Sequence, residues 1–134
     1  MSATSPVRFS PVRVLTLNIN AITNPIKVTA LFDFLLTGRF NLVLLQEVTS
    51  TIFDTLPGYE VVYNIDPEMN CGTAILYRDS LDIRDVTLLP GGRAISCVAN
   101  GVLVLNVYAP SGTDARRERN VFFNHDVSTL IVNR

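Results

Sequence analysis

The spacing of apolar residues predicts one helix near the start of the chain, enclosed by two strands. The strands are the β-branched runs Val12–Asn18 and Leu42–Glu47. The helix is predicted over Pro25–Thr37, with Asn24 as its N-cap and Gly38 as its stop. Its apolar residues form one buried face, which consists of Val28, Leu31, Phe32 and Leu35. A strand, helix, strand crossover of this kind makes the two strands parallel.

Five further strands are predicted after residue 47, with turn residues between them. They cover Tyr59–Tyr63, Thr73–Tyr77, Ile83–Leu88, Ala94–Ala99 and Val102–Tyr108. Turn residues predict two hairpins, one at Pro90-Gly91-Gly92 and one at Asn100-Gly101. A last helix is predicted from Asp114 as N-cap, and its apolar face comprises Phe123, Val127, Leu130 and Ile131.

The composition indicates a single α/β domain with a large core. The chain has 134 residues, of which 48% are hydrophobic and 17% charged, and this excludes a disordered protein. Residues 1–11, rich in Ser, Thr and Pro, are interpreted as a flexible leader, and residues 12–134 as the domain. Cys71 and Cys97 lack metal-ligand spacing, so free thiols are expected.

Charge and hydropathy restrict the partners that the protein can have. No apolar run approaches the roughly 20 residues that cross a bilayer, and the first residues lack the order of a signal peptide. An intracellular protein without a membrane partner is therefore expected. The net charge is −1, so any binding of nucleic acid must come from a local basic patch.

The first two strands both end in a polar residue that can bind a cation. Neighbouring parallel strands lie about 4.8 Å apart and end at the same edge of a sheet. Asn18 and Glu47 should therefore emerge side by side at the carboxyl edge, where open α/β sheets bind their ligands. Taken singly, Asn18 is more often a turn residue, and Glu47 is more often a solvated strand end or a charge in the first turn of a helix.

Three motifs in order resemble the endonuclease/exonuclease/phosphatase family of Mg²⁺-dependent phosphodiesterases. They are TLNIN around Asn18, LVLLQE ending at Glu47, and NVYAPSGT around Tyr108. Within that family, GTAILYR and YAPSGTDARRERNVFF are similar to the apurinic-type endonuclease domain of non-LTR retrotransposons. The resemblance runs from about Val12 onward. It implies that the chain is the N-terminal half of a four-layer α/β/β/α sandwich with a mixed sheet.

The resemblance also implies roles for particular residues. Glu47 and Asn18 match the family's metal ligands, with Mg²⁺ as the cofactor or Mn²⁺ in its place. Tyr108 matches a tyrosine that hydrogen-bonds the scissile phosphate, although by itself it reads as a strand aromatic. The implied partner is DNA, the implied location is nuclear, and Ser111 stands where many relatives have Asn.

Two motifs of the family's mechanism do not occur in these 134 residues. One is an Asp-x-Asn that orients water, and the other is a Ser-Asp-His that supplies the acid/base histidine. His125 lies mid-helix in the prediction and is interpreted as an exposed helix residue. A truncated domain is therefore expected, with activity and DNA binding weakened or lost and with exposed sheet that favours self-association.

Three functions remain open from the sequence. They are a Mg²⁺-dependent DNA endonuclease in its full form, a catalytically dead relic or interaction module, and another phosphoesterase of the same family. Possible phosphate contacts begin the last predicted helix, and they are Arg116, Arg117 and Arg119. The alternative is a solvated helix face, paired with Asp114 and Glu118. Arg93 is interpreted as a hairpin charge.

Overall fold

The computed structural model describes residues 11–109, which form one α-helix, seven strands and two short 3₁₀ turns. The helix, α1, covers Pro25–Gly38. The strands are β1 Val14–Asn18, β2 Leu42–Gln46, β3 Glu60–Asp66, β4 Cys71–Tyr77, β5 Ile83–Leu88, β6 Ala94–Ala99 and β7 Val102–Val107. The 3₁₀ turns cover Ile52–Thr55 and Pro90–Gly92.

The strands form two sheets. The first has the order β1-β2-β4-β3, with β1 parallel to β2 and the other neighbours antiparallel. The second is the antiparallel meander β5-β6-β7. The predicted crossover and the predicted mixed sheet are therefore confirmed.

The α1 helix and the two sheets form three layers, and the two larger apolar clusters of residues 11–109 lie between them. The α1 helix covers one face of the first sheet, where Leu31 and Leu35 meet Val43, Leu45 and other buried residues. The opposite face of the first sheet packs on the second sheet through residues that include Leu42, Ile75 and Ile95. Alternation along β2 explains this division, because successive side chains point to opposite faces. The predicted outer helix that would form a fourth layer lies outside the described residues.

The boundaries of α1 show why the predicted stop was one residue early. Asn24 is the N-cap, as predicted, and its Oδ1 accepts a hydrogen bond from the Ile26 N–H at 2.9 Å. Gly38 is the last helical residue, and Arg39 takes the left-handed conformation at φ 53°. A Cβ at position 38 would collide with the ring of Phe40, so the glycine serves this close approach.

Both predicted hairpins are confirmed, and several strand ends differ by a few residues. Asn100 and Gly101 both have positive φ, which is the two-residue turn that matches strand twist. Strand β1 begins at Val14, two residues later than predicted, and β2 ends at Gln46. Strand β3 runs to Asp66 because every residue from Glu60 pairs with β4.

Candidate functional site

The topology brings the two predicted cation ligands to one edge of the first sheet. Asn18 pairs with Gln46, the residue immediately before Glu47. The Ala21 N–H donates to the Glu47 carbonyl oxygen at 2.9 Å, which joins the loop after β1 to the end of β2. The predicted placement at the carboxyl ends of neighbouring parallel strands is thereby found in the fold.

The backbone of Glu47 turns its carboxylate toward the second sheet. Gln46 faces that sheet, so simple alternation would send the next side chain to the opposite face. Glu47 instead has φ 56°, in the left-handed region. Its Oε1 accepts a hydrogen bond of 2.9 Å from the hydroxyl of Tyr108, which follows β7. The structure thus brings together residues 61 positions apart in the sequence.

Left-handed backbone is concentrated at this edge. Seven non-glycine residues among positions 11–109 have positive φ, and three of them, Asn20, Ala21 and Glu47, belong to the two joined loops. The left-handed region costs L-residues roughly 1–2 kcal/mol each, and such conformations cluster at functional sites. The surrounding hydrogen bonds therefore hold this edge in a shape that the residues do not prefer.

Asn18 has a local structural role as well as a place at the site. Its Oδ1 accepts from the Asn20 N–H at 2.9 Å, which fixes the orientation of the amide. The turn role weighed from the sequence is therefore real. Among the described residues no hydrogen-bond acceptor meets the Asn18 Nδ2 group, and the side chain is exposed. An amide donor thus faces outward at this edge.

A buried amide pair, absent from the sequence prediction, supports the site from below. The Asn106 Nδ2 group donates to the carbonyl oxygens of Leu45 and Ala74, at 3.0 and 2.8 Å. Its Oδ1 accepts from the Gln46 Nε2 group at 2.8 Å. Asn106 is 1% exposed. The available signal was the alternation in LVLLQ and VLVLNV, which places an amide at an inward position in each strand.

Two further residues lie close enough to the site to interact with it electrostatically. Burial raises the pKa of the Cys71 thiol, the charge of Glu47 raises it further, and Arg93 lowers it. Burial and the charge of Glu47 thus both disfavour the thiolate, which is the nucleophilic form of cysteine. The Arg93 carbonyl accepts from the Tyr108 N–H at 2.8 Å, so Arg93 lies across the strand pair from Tyr108. The sequence interpretation of Arg93 as only a hairpin charge missed this proximity.

Several candidates from the sequence lie outside the described residues. They are Arg116, Arg117, Arg119 and His125. Within residues 11–109, no group of three or more His, Cys, Asp or Glu side chains could enclose a metal ion. In the same range no helix has the length and apolarity to cross a membrane. Neither Cys71 nor Cys97 forms a disulfide within the described residues, and Cys97 is buried while Cys71 is half-buried.

The strained backbone at Glu47 can be tested directly. We expect Glu47→Gly to be about 1 kcal/mol more stable to unfolding than Glu47→Ala, because glycine adopts positive φ without a Cβ clash. Urea unfolding of the two variants gives the difference. Equal stability, or a more stable alanine variant, would contradict the left-handed conformation.

Comparison with known proteins shows the fold. No family model and no curated protein matches the sequence. The solved structure of TDP2 from Caenorhabditis elegans matches 92% of this chain and 44% of its own, with a TM-score of 0.68 and 20% identity. A 3′ phosphatase, NExo from Neisseria bound to a product DNA hairpin, matches 89% of this chain and 53% of its own at TM-score 0.61 and 21% identity.

An AP endonuclease from Archaeoglobus fulgidus has the same fold. It matches 80% of this chain and 45% of its own length, with a TM-score of 0.59 and 20% identity. These proteins have the endonuclease/exonuclease/phosphatase fold. The chain spans about half the length of the solved structures that it matches, from 43% to 57%. The α/β sandwich implied by the motifs is therefore confirmed at the level of the fold.

Proposed function

We propose that this chain carries the metal-binding and phosphate-positioning half of a Mg²⁺-dependent phosphodiesterase that acts on DNA. The observation that carries the proposal is the junction of Glu47, Tyr108 and Asn18 at one sheet edge. A carboxylate, a phenol and an amide are held there by hydrogen bonds that link both sheets and the loop after β1.

The donor atoms at this edge suit Mg²⁺ or Mn²⁺. Mg²⁺ keeps most of its waters and takes one or two carboxylates together with substrate phosphate. Glu47 uses Oε1 for the bond from Tyr108, and among the described residues no donor meets Oε2. Glu47 would hold the ion. The side-chain Oδ1 of Asn18 uses one lone pair for the bond from the Asn20 N–H, and its second lone pair could bind the same ion. The bound ion would neutralise charge on the phosphate.

The chain's own residues would orient the phosphate. The exposed amide donor of Asn18 and the hydroxyl of Tyr108 can each donate to a non-bridging phosphate oxygen. The Tyr108 hydroxyl donates to Glu47 in this structure, and it would turn from that carboxylate to donate to the phosphate when Glu47 holds the ion. Arg93, across the strand pair from Tyr108, adds positive charge near the same edge.

DNA is the substrate that the comparisons favour within the phosphoesterases. The AP endonuclease and the DNA-bound NExo support it. The motif YAPSGTDARRER supports the more specific proposal of a retrotransposon-type endonuclease, whose location would be nuclear. A lipid or other phosphoester substrate has no such support from the structures named above.

A second candidate is a module that keeps the fold and binds phosphate without turnover. The observation in its favour is the small number of ligands around Glu47, since no three-ligand cluster exists within residues 11–109. The two candidates share the metal and phosphate contacts. They differ in whether a longer protein or another chain supplies the water-orienting and acid/base groups.

Titration with Mn²⁺, a paramagnetic substitute for Mg²⁺, tests the shared site. We expect NMR signals of Glu47, Asn18 and Tyr108 to broaden first, and excess Mg²⁺ to restore them. One carboxylate gives weak binding, so a dissociation constant on the order of millimolar is expected. Glu47→Gln keeps the size of the side chain but removes the charge, and it should weaken binding by roughly tenfold or more.

Glu60→Gln is the matched control. Glu60 begins β3 and pairs with Tyr77, at the end of the sheet opposite to Glu47, and it is exposed. In the control variant, Mn²⁺ should broaden the NMR signals of the site as it does in the wild type. If Mn²⁺ broadens them equally in Glu47→Gln, the assignment of Glu47 as the metal ligand is wrong.

A further inference from the structure

The side chain of Gln46 joins the three strands that carry the candidate site. Gln46 lies on β2, and its Nε2 group donates to the Thr16 Oγ1 atom of β1 at 3.0 Å and to the Asn106 Oδ1 atom of β7 at 2.8 Å. The Leu44 carbonyl oxygen, at 3.2 Å, is a more distant third acceptor. An amide NH₂ group has two hydrogens, so the two shorter bonds use both of them. One side chain thereby links β1, β2 and β7.

The chemistry of the partners determines which way the two amides face. Carbonyl oxygens only accept hydrogen bonds, so Asn106 turns its Nδ2 group toward the carbonyls of Leu45 and Ala74. The Oδ1 atom of Asn106 then faces Gln46, which has to donate to it. An apolar side chain at position 46 would leave this buried oxygen without the bond, and an unpaired buried acceptor is costly. The link therefore requires a hydrogen-bond donor at position 46.

Each strand in this link leads directly to one residue of the candidate site. The three site residues, in the order of β1, β2 and β7, are Asn18, Glu47 and Tyr108. Thr16 and Asn106 lie two positions before the site residue of their own strand, and Gln46 lies one position before its own. A strand rises about 3.3 Å per residue, so only a short extended segment separates each bond from the group that it holds. A displacement at the link should therefore move the site residues as well.

Main-chain bonds at this edge join β1 to β2 but do not join β2 to β7. Asn18 pairs with Gln46 in the first sheet, and the Ile19 N–H donates to the Gln46 carbonyl oxygen at 3.0 Å. Strands β2 and β7 belong to different sheets, so strand pairing does not fix their separation. The side-chain bond from Gln46 to Asn106 supplies a direct connection between them. The placement of Tyr108 relative to Glu47 therefore depends on side chains.

We propose that Gln46 is a positioning residue that sets the separations among Asn18, Glu47 and Tyr108. The inference rests on the proposed function for the use of these separations, since an ion and a phosphate bound together would contact all three groups. Gln46 itself contacts neither, and it acts through the strands that it links. Replacing residues that orient metal ligands typically changes metal affinity by roughly 10- to 100-fold.

The variant Gln46→Met tests the positioning in the metal-free 134-residue chain. Methionine has nearly the length of glutamine but no donor, and the main-chain pairing of β2 with β1 and β4 does not need the side chain. In the wild type we expect nuclear Overhauser effects between the Tyr108 ring and the Glu47 side chain, because the hydroxyl and Oε1 are 2.9 Å apart. These signals should be lost in Gln46→Met. Its affinity for Mn²⁺ should fall by roughly tenfold or more.

The pair Thr16→Val and Thr16→Ser separates positioning from stability. Thr16 is exposed, so both variants should fold. Valine keeps the shape of threonine but removes the oxygen that accepts from Gln46, whereas serine keeps that oxygen. Mn²⁺ affinity should therefore fall in Thr16→Val and return to the wild-type value in Thr16→Ser. The loss should be smaller than in Gln46→Met, because the bond to Thr16 is exposed and the bond to Asn106 is not.

Tyr59→Phe is the control for a purely structural loss. The Tyr59 hydroxyl donates to the Phe40 carbonyl oxygen at 2.7 Å. Tyr59 immediately precedes β3, whose first residue lies at the end of the first sheet opposite to Glu47. The variant thus removes a half-buried hydrogen bond without changing the link through Gln46. It should keep the signals between Tyr108 and Glu47 and the wild-type affinity for Mn²⁺.

Three results would overturn the positioning role of Gln46. They are unchanged signals between Tyr108 and Glu47 in a folded Gln46→Met, wild-type Mn²⁺ affinity in Thr16→Val, and an equal loss of affinity in Tyr59→Phe. If Gln46→Met does not fold, the two Thr16 variants decide the question. A chain that loses the signals in Gln46→Met but binds no Mn²⁺ as wild type would support the positioning and contradict the proposed metal site.

Discussion

The substitution Asn106→Asp should lower the free energy of unfolding by about 3 kcal/mol or more at pH 7. The amide now donates to the carbonyl oxygens of Leu45 and Ala74. A carboxylate there would point negative charge at two acceptors and lose both donors, while only Gln46 could donate to it. Burial of a charge without adequate partners is among the most destabilising single changes. Chemical unfolding monitored by circular dichroism measures the loss.

The pH dependence of this loss follows from linkage. The buried site raises the pKa of the introduced carboxyl group above its usual value of about 3.9, so the folded state binds more protons than the unfolded state. The deficit relative to wild type should therefore shrink as pH falls and grow as pH rises through the unfolded pKa. Asn70→Asp is the control at an exposed turn, and it should change stability by less than about 0.5 kcal/mol. A deficit that does not vary with pH would contradict the buried amide network.

The same substitution should also loosen the candidate site. Asn106 precedes Tyr108 by two residues, and Gln46 precedes Glu47 by one. The bond between the two amides therefore sets the separation at which the Tyr108 hydroxyl meets the Glu47 carboxylate. A buried polar network whose groups all find partners rigidifies what is attached to it.

The order of elements and the placement of Asn18 and Glu47 could be predicted from sequence because both depend on local patterns. A strand, helix, strand crossover fixes parallel strands, and parallel strands share an edge. The hairpin at Asn100-Gly101 was equally local. Each of these features needs only residues that are close in sequence or one rule of topology.

The geometry of the hydrogen bond from Tyr108 to Glu47 could not be predicted from the sequence. It depends on how the second sheet stacks on the first and on the left-handed conformation of Glu47, which no residue preference favours.

We expect the 134-residue chain to leave supercoiled plasmid intact in the presence of Mg²⁺. General acid/base assistance is worth about 10² to 10⁴ in rate, and the sequence contains neither the Ser-Asp-His nor the Asp-x-Asn motif that would supply it and orient water. Glu47, Asn18 and Tyr108 could still bind a metal ion and a phosphate. Metal binding without cleavage is therefore the expected result, measured as conversion of supercoiled plasmid to open circle.

The variants Glu47→Gln and Glu60→Gln distinguish cleavage by this chain from cleavage by a contaminating nuclease. Any contaminating nuclease would act equally in wild type, Glu47→Gln and Glu60→Gln preparations. Nicking that requires Mg²⁺, persists in Glu60→Gln and disappears in Glu47→Gln would contradict the prediction. It would place a complete site on this chain, with the missing proton-transfer group supplied from residues 110–134 or from a second copy. The substitution His125→Ala would then test whether the chain's one histidine supplies that group, because nicking would be lost in that variant.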